Sequence, residues 1–390
     1  MRILFVSDTY YPHINGVYYF VCRVGPLLQE KGHEVAVIAP SENIHASEKT
    51  IDDIRVYGIP SLPVLYYPKV RFPIPFFLRS RVRRLIDDFK PDVIHIQDHF
   101  LMTNAVVRVC KNKQIPIIAT NHFMPENLTA LVSQKWKKWL EKVMWSGFSH
   151  VFNQVSLVTT PTETGARLIR PRLNVEVIAV SSGVDLQKFN PVGDKEKIKR
   201  KYSIPDTPLL LFVGRLDPEK HLEEVLQAVA LAVREIDFHF VVIGKGLRKT
   251  ALENLARELG IADKVIFTGF VPEEDLPFFY KSSHCFIIAS IAELLSLATL
   301  QAMASGLPVI AVNAGALGEL VQDKSNGYLF DTGDVAAIAQ CIRAILGQEE
   351  LRGQMSEKSL EYILHHDIHK TVESFERIYE RNSRLHLADA

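Results

Sequence analysis

The chain has 390 residues, and its 45 Lys+Arg balance 45 Asp+Glu, so the formal net charge is zero. With 47% apolar and 23% charged residues it has the composition of a globular protein with core enough for about two domains. The neutral balance excludes a protein that holds nucleic acid by bulk positive charge, and no apolar run approaches the ~20 residues of a membrane-spanning helix.

The opening MRILFVSDTYYP has one positive residue and then a short apolar run, and reads as a first strand rather than a signal peptide. The turn pair Asn15-Gly16 follows, then a helix over about Val17 to Lys31 and a second strand, Glu34 to Ala39. That is a βαβ unit. Further strands are predicted at Val93–Ile96, Ile115–Thr120, Leu157–Thr160 and Val175–Val180, with helices over 78–89, 101–112 and about 133–153. After a polar stretch the pattern restarts with Leu209–Gly214 and a helix over 221–235. Strands His239–Ile243, Val265–Thr268, Cys285–Ile288 and Pro308–Ala311 come next.

Short apolar strands separated by helices imply parallel sheets covered on both faces. The predicted fold class is α/β, with two Rossmann-like, doubly wound domains. The first spans residues 1–180 and the second 181–370, and the C-terminal helical stretch 371–390 is expected to rejoin the first. In such sheets ligands bind beyond the carboxyl ends of the strands, and a cleft between two domains is the default site. Cys22, Cys110, Cys285 and Cys341 lie far apart with no CxxC and read as reduced thiols of a cytoplasmic protein.

Two segments carry the strongest chemical signal. In LLLFVGRLDPEKHLEEVLQAV, 209–229, a strand ends at Gly214, and Arg215 and Lys220 follow in the loop to the next helix. Two cations five residues apart at a strand's carboxyl end suit a diphosphate, Arg binding bidentately and Lys as a point charge. The alternative is a pair of solvated charges at a helix start, an arrangement that the helix dipole opposes. In ASIAELLSLATLQAMASGLPVIA, 289–311, Glu293 precedes a helix from about Leu297 to Ala304. Free N–H groups at that helix start receive an anion, and Glu293 either accepts hydrogen bonds from sugar hydroxyls or caps the helix.

In this order and spacing the two segments resemble the retaining glycosyltransferases of family 4, which have the two-domain GT-B fold. The resemblance covers essentially the whole chain and extends to DTYYPHINGV, VSSGVDLQKFNP, GKG at 244–246 and KVIFTGFVPEEDLPFFY. It implies that Arg215 and Lys220 hold the diphosphate of a nucleotide-sugar donor and stabilise it as it leaves. Glu293 matches the first glutamate of the family's Glu-x7-Glu motif, which meets the transferred sugar. The resemblance assigns the backbone amides of Leu297 and Ala298 to a phosphate and Val271 to the nucleobase. Gly16 is implied to let the first loop approach the donor, and Gly214 and Gly244 belong to the donor-binding loops. His122, in ATNHF, matches a histidine near the reacting carbon.

The chain departs from the family pattern twice. Gln301 stands where the family has its second glutamate, on the nucleotide ribose; it keeps a carbonyl acceptor and loses the charge. Ser296 stands where a glycine usually precedes the phosphate-binding amides, and its side chain is expected to crowd the phosphate or add a hydroxyl donor. The sequence contains no Asp-x-Asp and no HExxH, and its 14 histidines show no ligand spacing. A site without metal or cofactor is therefore expected, its charge stabilisation supplied by Arg215, Lys220 and the helix start near Leu297.

For the acceptor, Asp98 and His99, in HIQDHF, follow a strand and are expected either to touch acceptor or to stabilise their loop. Asn127, in NHFMPENL, is expected on the acceptor side. Residues 69–90 carry seven Lys/Arg against two Asp, and 133–145 carry four Lys against one Glu and all three tryptophans. On a helical wheel Trp136, Trp139, Leu140 and Val143 share a face. A basic surface with aromatic neighbours suits an anionic bilayer; the alternative is an apolar stripe packed on its own domain. The reading is a hexosyltransferase (glucose or mannose type) acting on a membrane lipid or lipid-linked glycan at the inner face of the membrane, with no nucleic-acid partner. The alternatives are a nucleotide-sugar epimerase or hydrolase of the same fold, or a sugar-nucleotide-binding protein with weak or no activity.

Overall fold

The structure is a computed structural model describing residues 1–13, 15–64, 67–111, 113–123 and 134–388. The chain divides into two compact units, Met1–Ser182 with Ile368–Ala390, and Gly183–Asp367.

In the first unit the central strands are nearly continuous apolar runs covered on both faces, and more polar strands lie toward the edge and beside the sheet. The strands are β1 (Arg2–Val6), β2 (Glu34–Pro40), β3 (Ser47–Ile51), β4 (Ile54–Ile59), β5 (Ser61–Val64), β6 (Tyr67–Pro73), β7 (Val93–Ile96), β8 (Ile117–Thr120), β9 (Leu157–Thr160) and β10 (Val177–Ala179). Eight of them make one sheet in the order β10-β9-β8-β7-β1-β2-β4-β3, while β5 and β6 pair separately. All neighbours in the large sheet are parallel except β3 against β4. The β3–β6 region was not expected as strand. Charged side chains on β3 suit a solvated edge, and prolines punctuate β5 and β6, so neither shows a clean period.

The helices of this unit are α1 (Gly16–Glu30), α2 (Leu78–Phe89), α3 (Leu101–Cys110), α4 (Gln134–Phe152) and α5 (Glu163–Ile169). α2, α3 and α4 bury Val82, Ile86, Met102, Val106 and Phe148 in one core layer. On the other face, α1 packs Phe20, Val21 and Val24 with Val372, Phe375 and Tyr379 of the C-terminal helix Ile368–Ala388. That helix is pinned by polar contacts as well. His95 Nδ1 lies 2.7 Å from the Tyr379 hydroxyl, and Glu376 bridges Lys31 at 2.8 Å and His33 at 2.9 Å.

The second unit holds β11 (Leu209–Val213), β12 (His239–Ile243), β13 (Val265–Gly269), β14 (Cys285–Ile288), β15 (Val309–Val312) and β16 (Gly327–Phe330). They form one parallel sheet, β13-β12-β11-β14-β15-β16. Around it lie α6 (Glu196–Tyr202), α7 (Leu222–Ala232), α8 (Lys249–Glu258), α9 (Leu276–Ser282), α10 (Leu297–Ala304), α11 (Leu317–Leu320), α12 (Val335–Gly347) and α13 (Glu349–Ile363). The helix expected over 221–235 starts at Leu222, because Pro218–Lys220 form a 3-10 turn and His221 takes a left-handed conformation at φ +50°.

Both large sheets reverse direction of growth once. In the first unit the chain builds outward from β1 on one side and from β7 on the other; in the second it does so from β11 and β14. Loops leaving the carboxyl ends of such neighbouring strands diverge, which opens a crevice at the switch point.

Candidate active site

The switch point of the second unit collects the residues singled out in the sequence. Lys220 comes from the loop after β11 and Glu293 from the loop after β14, and parallel pairing of these strands brings the loops together. Lys220 Nζ lies 2.5 Å from Glu293 Oε1 and 3.2 Å from Ser290 Oγ, and both charged side chains are largely shielded from water. Ser290 was not foreseen; its place just beyond β14 is the signal that points to it. The backbone carbonyl of Glu293 accepts from the Ala316 amide at 3.0 Å, which ties the glutamate loop to the segment after β15.

Arg215 behaves differently. Its guanidinium is held by two carboxylates of its own loop, Asp217 at 2.7 Å and Glu219 at 2.8 Å, and its side chain is 72% exposed. The two expected cations thus have separate partners, Lys220 on Glu293 and Arg215 on Asp217 and Glu219. Asp217 also accepts from the Leu247 amide at 3.1 Å, linking this loop to the GKG segment. Gly244 is indispensable there: its φ is +143°, and a Cβ would stand 1.8 Å from the Gly214 carbonyl oxygen. Gly214 sits between that contact and the ring of Phe212. Val271 is buried in the loop that leaves β13.

α10 begins beside Glu293. Ser296 is its N-cap: the Ser296 hydroxyl oxygen accepts from the Thr299 amide at 3.2 Å and from the Thr299 hydroxyl at 2.8 Å. Its oxygen thus serves as the helix cap, while its O–H proton is left to donate. The group is buried and turned into its own helix. The amides of Leu297 and Ala298 have no hydrogen-bond partner among the described residues, as the first positions of a helix dictate, and both residues are half-buried. One turn on, Gln301 Oε1 accepts from the hydroxyl of buried Tyr280 at 3.0 Å. The carbonyl that the sequence analysis kept as an acceptor is therefore already engaged, and the amide NH2 is the group without an internal partner.

The first unit has a parallel arrangement at its own switch point. Asp8 follows β1, Asp98 and His99 follow β7, and His122 follows β8. Asp98 is buried and accepts from Ser7 Oγ at 2.9 Å and the Asp8 amide at 2.7 Å. Of its two expected roles, loop stabilisation is the one its geometry describes. Asp8, which the sequence analysis passed over, caps α3 by accepting from the Met102 and Thr103 amides. Burial pushes both carboxyls up; the charge of Asp98 raises Asp8 further, whereas hydrogen bonds from Asp8 and Ser7 hold Asp98 lower.

His99 is buried among Phe100, Phe123, Phe148 and Phe152, and neither of its ring nitrogens has a hydrogen-bond partner among the described residues. Desolvation lowers its pKa to about 4. His122 packs on Phe20 and lies 2.7 Å from Gln97 Oε1 through Nε2, so that nitrogen donates; burial lowers its pKa to about 3. Gln97 was missed although it directly precedes Asp98. Gly16 opens α1 behind the cap of Asn15, whose side chain accepts from the Tyr18 amide at 3.0 Å. A Cβ on Gly16 would meet nothing within 4 Å, so no packing inside the chain demands glycine there. Asn127 lies outside the described residues.

The apolar stripe drawn on α4 is exposed in part; Leu140 is half-buried, and the Trp136 side chain lies outside the described residues. Trp139 is 60% exposed and Val143 47% exposed, whereas Trp145, Phe148, Val151 and Phe152 face the core. Phe72, Phe76 and Phe77 are also exposed, at or just before α2, and α2 and α4 lie on the same face of the sheet. Among the described residues no group of three His, Cys, Asp or Glu side chains is placed to hold a metal ion, and no helix is long and apolar enough to cross a membrane.

Two α/β units, each with a mainly parallel sheet and a crevice at its switch point, are the units of a GT-B fold, and comparison with known proteins gives the family. Residues 14–188 match the model for Glycosyltransferase Family 4, and residues 194–362 match that for Glycosyl transferases group 1. The chain belongs to glycosyltransferase family 4. It is 30% identical to sulfoquinovosyl transferase of Arabidopsis thaliana over 90% of its length and 67% of that protein's. It is 30% identical to alpha-monoglucosyldiacylglycerol synthase of Streptococcus pneumoniae, covering 85% and 75%. It is 26% identical to GDP-mannose-dependent alpha-mannosyltransferase of Mycolicibacterium smegmatis, covering 92% of each. In fold it is similar to sucrose-phosphate synthase from Thermosynechococcus elongatus, with a TM-score of 0.81, 17% identity and coverage of 98% and 99%. The catalytic domain of starch synthase IV from Arabidopsis thaliana gives 0.74 at 18% identity, covering 98% and 99%.

Proposed function

We propose that this glycosyltransferase moves a glucose- or mannose-type sugar from a nucleoside diphosphate to a hydroxyl of a membrane lipid or lipid-linked glycan, retaining the anomeric configuration and using no metal. The observation that carries the reading is the shielded Lys220–Glu293 pair beside the two unpartnered amides of α10. A positive charge with two N–H donors suits a leaving diphosphate, and a carboxylate beside them suits sugar hydroxyls, which supports the reading. The names of the relatives favour a lipid acceptor and a glucosyl or mannosyl donor.

In this reading Lys220, Arg215 and the Leu297 and Ala298 amides bind the diphosphate, and Glu293 accepts from the sugar. Arg215 exchanges one loop carboxylate for a phosphate oxygen. Gln301 meets the ribose less strongly than a carboxylate would, and Val271 meets the base through its backbone. Gly214 and Gly244 let the loops close on the donor, and Gly16 leaves room for it. His122, neutral and fixed by Gln97, hydrogen-bonds the sugar. The acceptor oxygen bonds to the anomeric carbon as the carbon–phosphate oxygen bond breaks on the same face, and the departing phosphate takes the acceptor's proton. His99 and Asn127 belong to the acceptor side, with Asp98 positioning its loop. The surfaces 69–90 and 133–145 hold the protein to the inner, anionic face of a membrane.

A mass-spectrometric screen of nucleotide-sugar donors against a lipid extract and soluble sugars tests this. A glycosylated lipid whose anomeric configuration by NMR matches that of the donor is expected. Epimerised sugar, free sugar or unchanged donor across the panel would remove the proposal.

A further inference from the structure

One feature of the first unit is used by none of the chemistry above. A groove of about 500 Å3 runs between α4 and the 3-10 turn Arg170–Arg172. Lys138, Lys142, Trp145 and Ser149 line it from one side, at the i, i+4, i+7, i+11 spacing that shares one helix face. Arg172 faces them, its Cζ 3.9 Å from the centre of the Trp145 ring. Neighbouring Arg170 is consumed by Glu163 and the Val177 carbonyl. Arg172, Lys138 and Lys142, by contrast, pair with no carboxylate among the described residues. Among the described residues Glu141 is the one acidic residue of the groove, against three cations and the hydroxyls of Ser146 and Ser149.

We infer that this groove is a binding site for the phosphate of an anionic phospholipid headgroup. A guanidinium stacked on an indole keeps its N–H edge free, and that edge matches two phosphate oxygens; the lysines add point charge and the serines donate. Like-charged side chains gathered around one groove repel one another, and an anion relieves this. The headgroup source, rather than a soluble phosphate, follows from the neighbouring stripe. Trp139 and Val143 each sit one residue round the helix from a groove lysine and are exposed, so a bilayer that receives them brings its phosphates to the groove. The inference rests on the membrane reading above and adds to it a discrete site with a chemical preference.

The test is sedimentation of the full chain with phosphatidylcholine vesicles doped with phosphatidylglycerol, compared with vesicles brought to the same surface charge by oleate. Wild type is expected to bind the phosphatidylglycerol vesicles about tenfold more tightly, the worth of one good bidentate contact. Arg172→Gln, outside the two basic surfaces, is expected to abolish that preference while leaving oleate binding within about twofold, and Lys142→Gln to abolish it while also weakening both kinds of vesicle. Arg172→Lys, which keeps the charge and loses the planar fork, is expected to lose most of it. Arg79→Gln, outside the groove, is expected to weaken both kinds of vesicle alike. Equal loss on both vesicles for the groove variants would show diffuse attraction, overturning the site but not the membrane reading. Failure of wild type to bind either vesicle at low salt would overturn both. A tryptophan fluorescence response to inorganic phosphate without vesicles, with no preference for phosphatidylglycerol, would reassign the groove to a soluble anion and overturn the headgroup.

Discussion

Lys220→Ala probes the centre of the proposed mechanism. The ammonium sits 2.5 Å from Glu293, both side chains about one-sixth exposed. At an effective dielectric near 20 the gross attraction is of order 4–6 kcal/mol, but desolvation offsets most of it. Removing the lysine leaves Glu293 shielded and unpaired, which costs about 1–3 kcal/mol because some water still reaches the pair. The kinetic cost is separate. A charge aimed at the leaving diphosphate acts mainly in the transition state, and loss of one such donor lowers turnover by about 10²–10³-fold. Steady-state kinetics with the donor, a urea midpoint and calorimetry with the nucleoside diphosphate separate these effects. The expected result is a folded enzyme with kcat down by at least about 100-fold and a smaller change in donor KM. A double-mutant cycle with Glu293→Gln is expected to show coupling of about 1–3 kcal/mol in stability. Unchanged kcat with only a raised donor KM would refute the reasoning, since Lys220 would then bind ground and transition states alike.

Three further outcomes follow from the geometry. Ser296→Ala removes the cap of α10 and is expected to lower stability by about 1 kcal/mol, read as a urea midpoint, while Ser296→Gly costs only a few tenths and neither tightens the donor. A gain in donor affinity with Ser296→Gly would mean that the hydroxyl does obstruct the phosphate. Gln301→Glu restores a charged acceptor beside the Tyr280 hydroxyl and is expected to tighten nucleoside diphosphate binding by about tenfold in calorimetry. Loss of binding would place the Gln301 NH2 in direct use. Finally, His99 is held neutral down to about pH 4, whereas an unfolded histidine protonates near 6.5. Its contribution to stability is complete above about 6.5 and declines as pH falls toward 4, so His99→Phe is expected to reduce the stability lost between pH 7 and 5 by about 2 kcal/mol. Parallel urea-midpoint profiles for the two proteins would contradict that burial.

Much of the architecture was legible because it follows from local rules. Runs such as Leu209–Val213 and Cys285–Ile288 have no polar alternation, and a parallel sheet covered on both faces is the arrangement that hides every residue of such a run. The loops that follow these strands therefore marked the candidate site in advance. What the sequence left open was which side chain meets which. Lys220 and Glu293 are 73 residues apart and touch because β11 pairs with β14, a neighbour relation that no local pattern specifies. Arg215 has the same charge and nearly the same loop, yet two nearer carboxylates hold it. Ser296 and Gln301 look like ligand-facing substitutions until Thr299 and Tyr280 are seen to occupy their oxygens. Trp139 and Trp145 share a helix, but α4 has one face for the core, and packing alone put Trp145 on it and Trp139 outside. Local periodicity selects strand, turn and helix; partners are chosen by competition among all the groups that the fold brings within reach, and that competition exists only once the chain is folded.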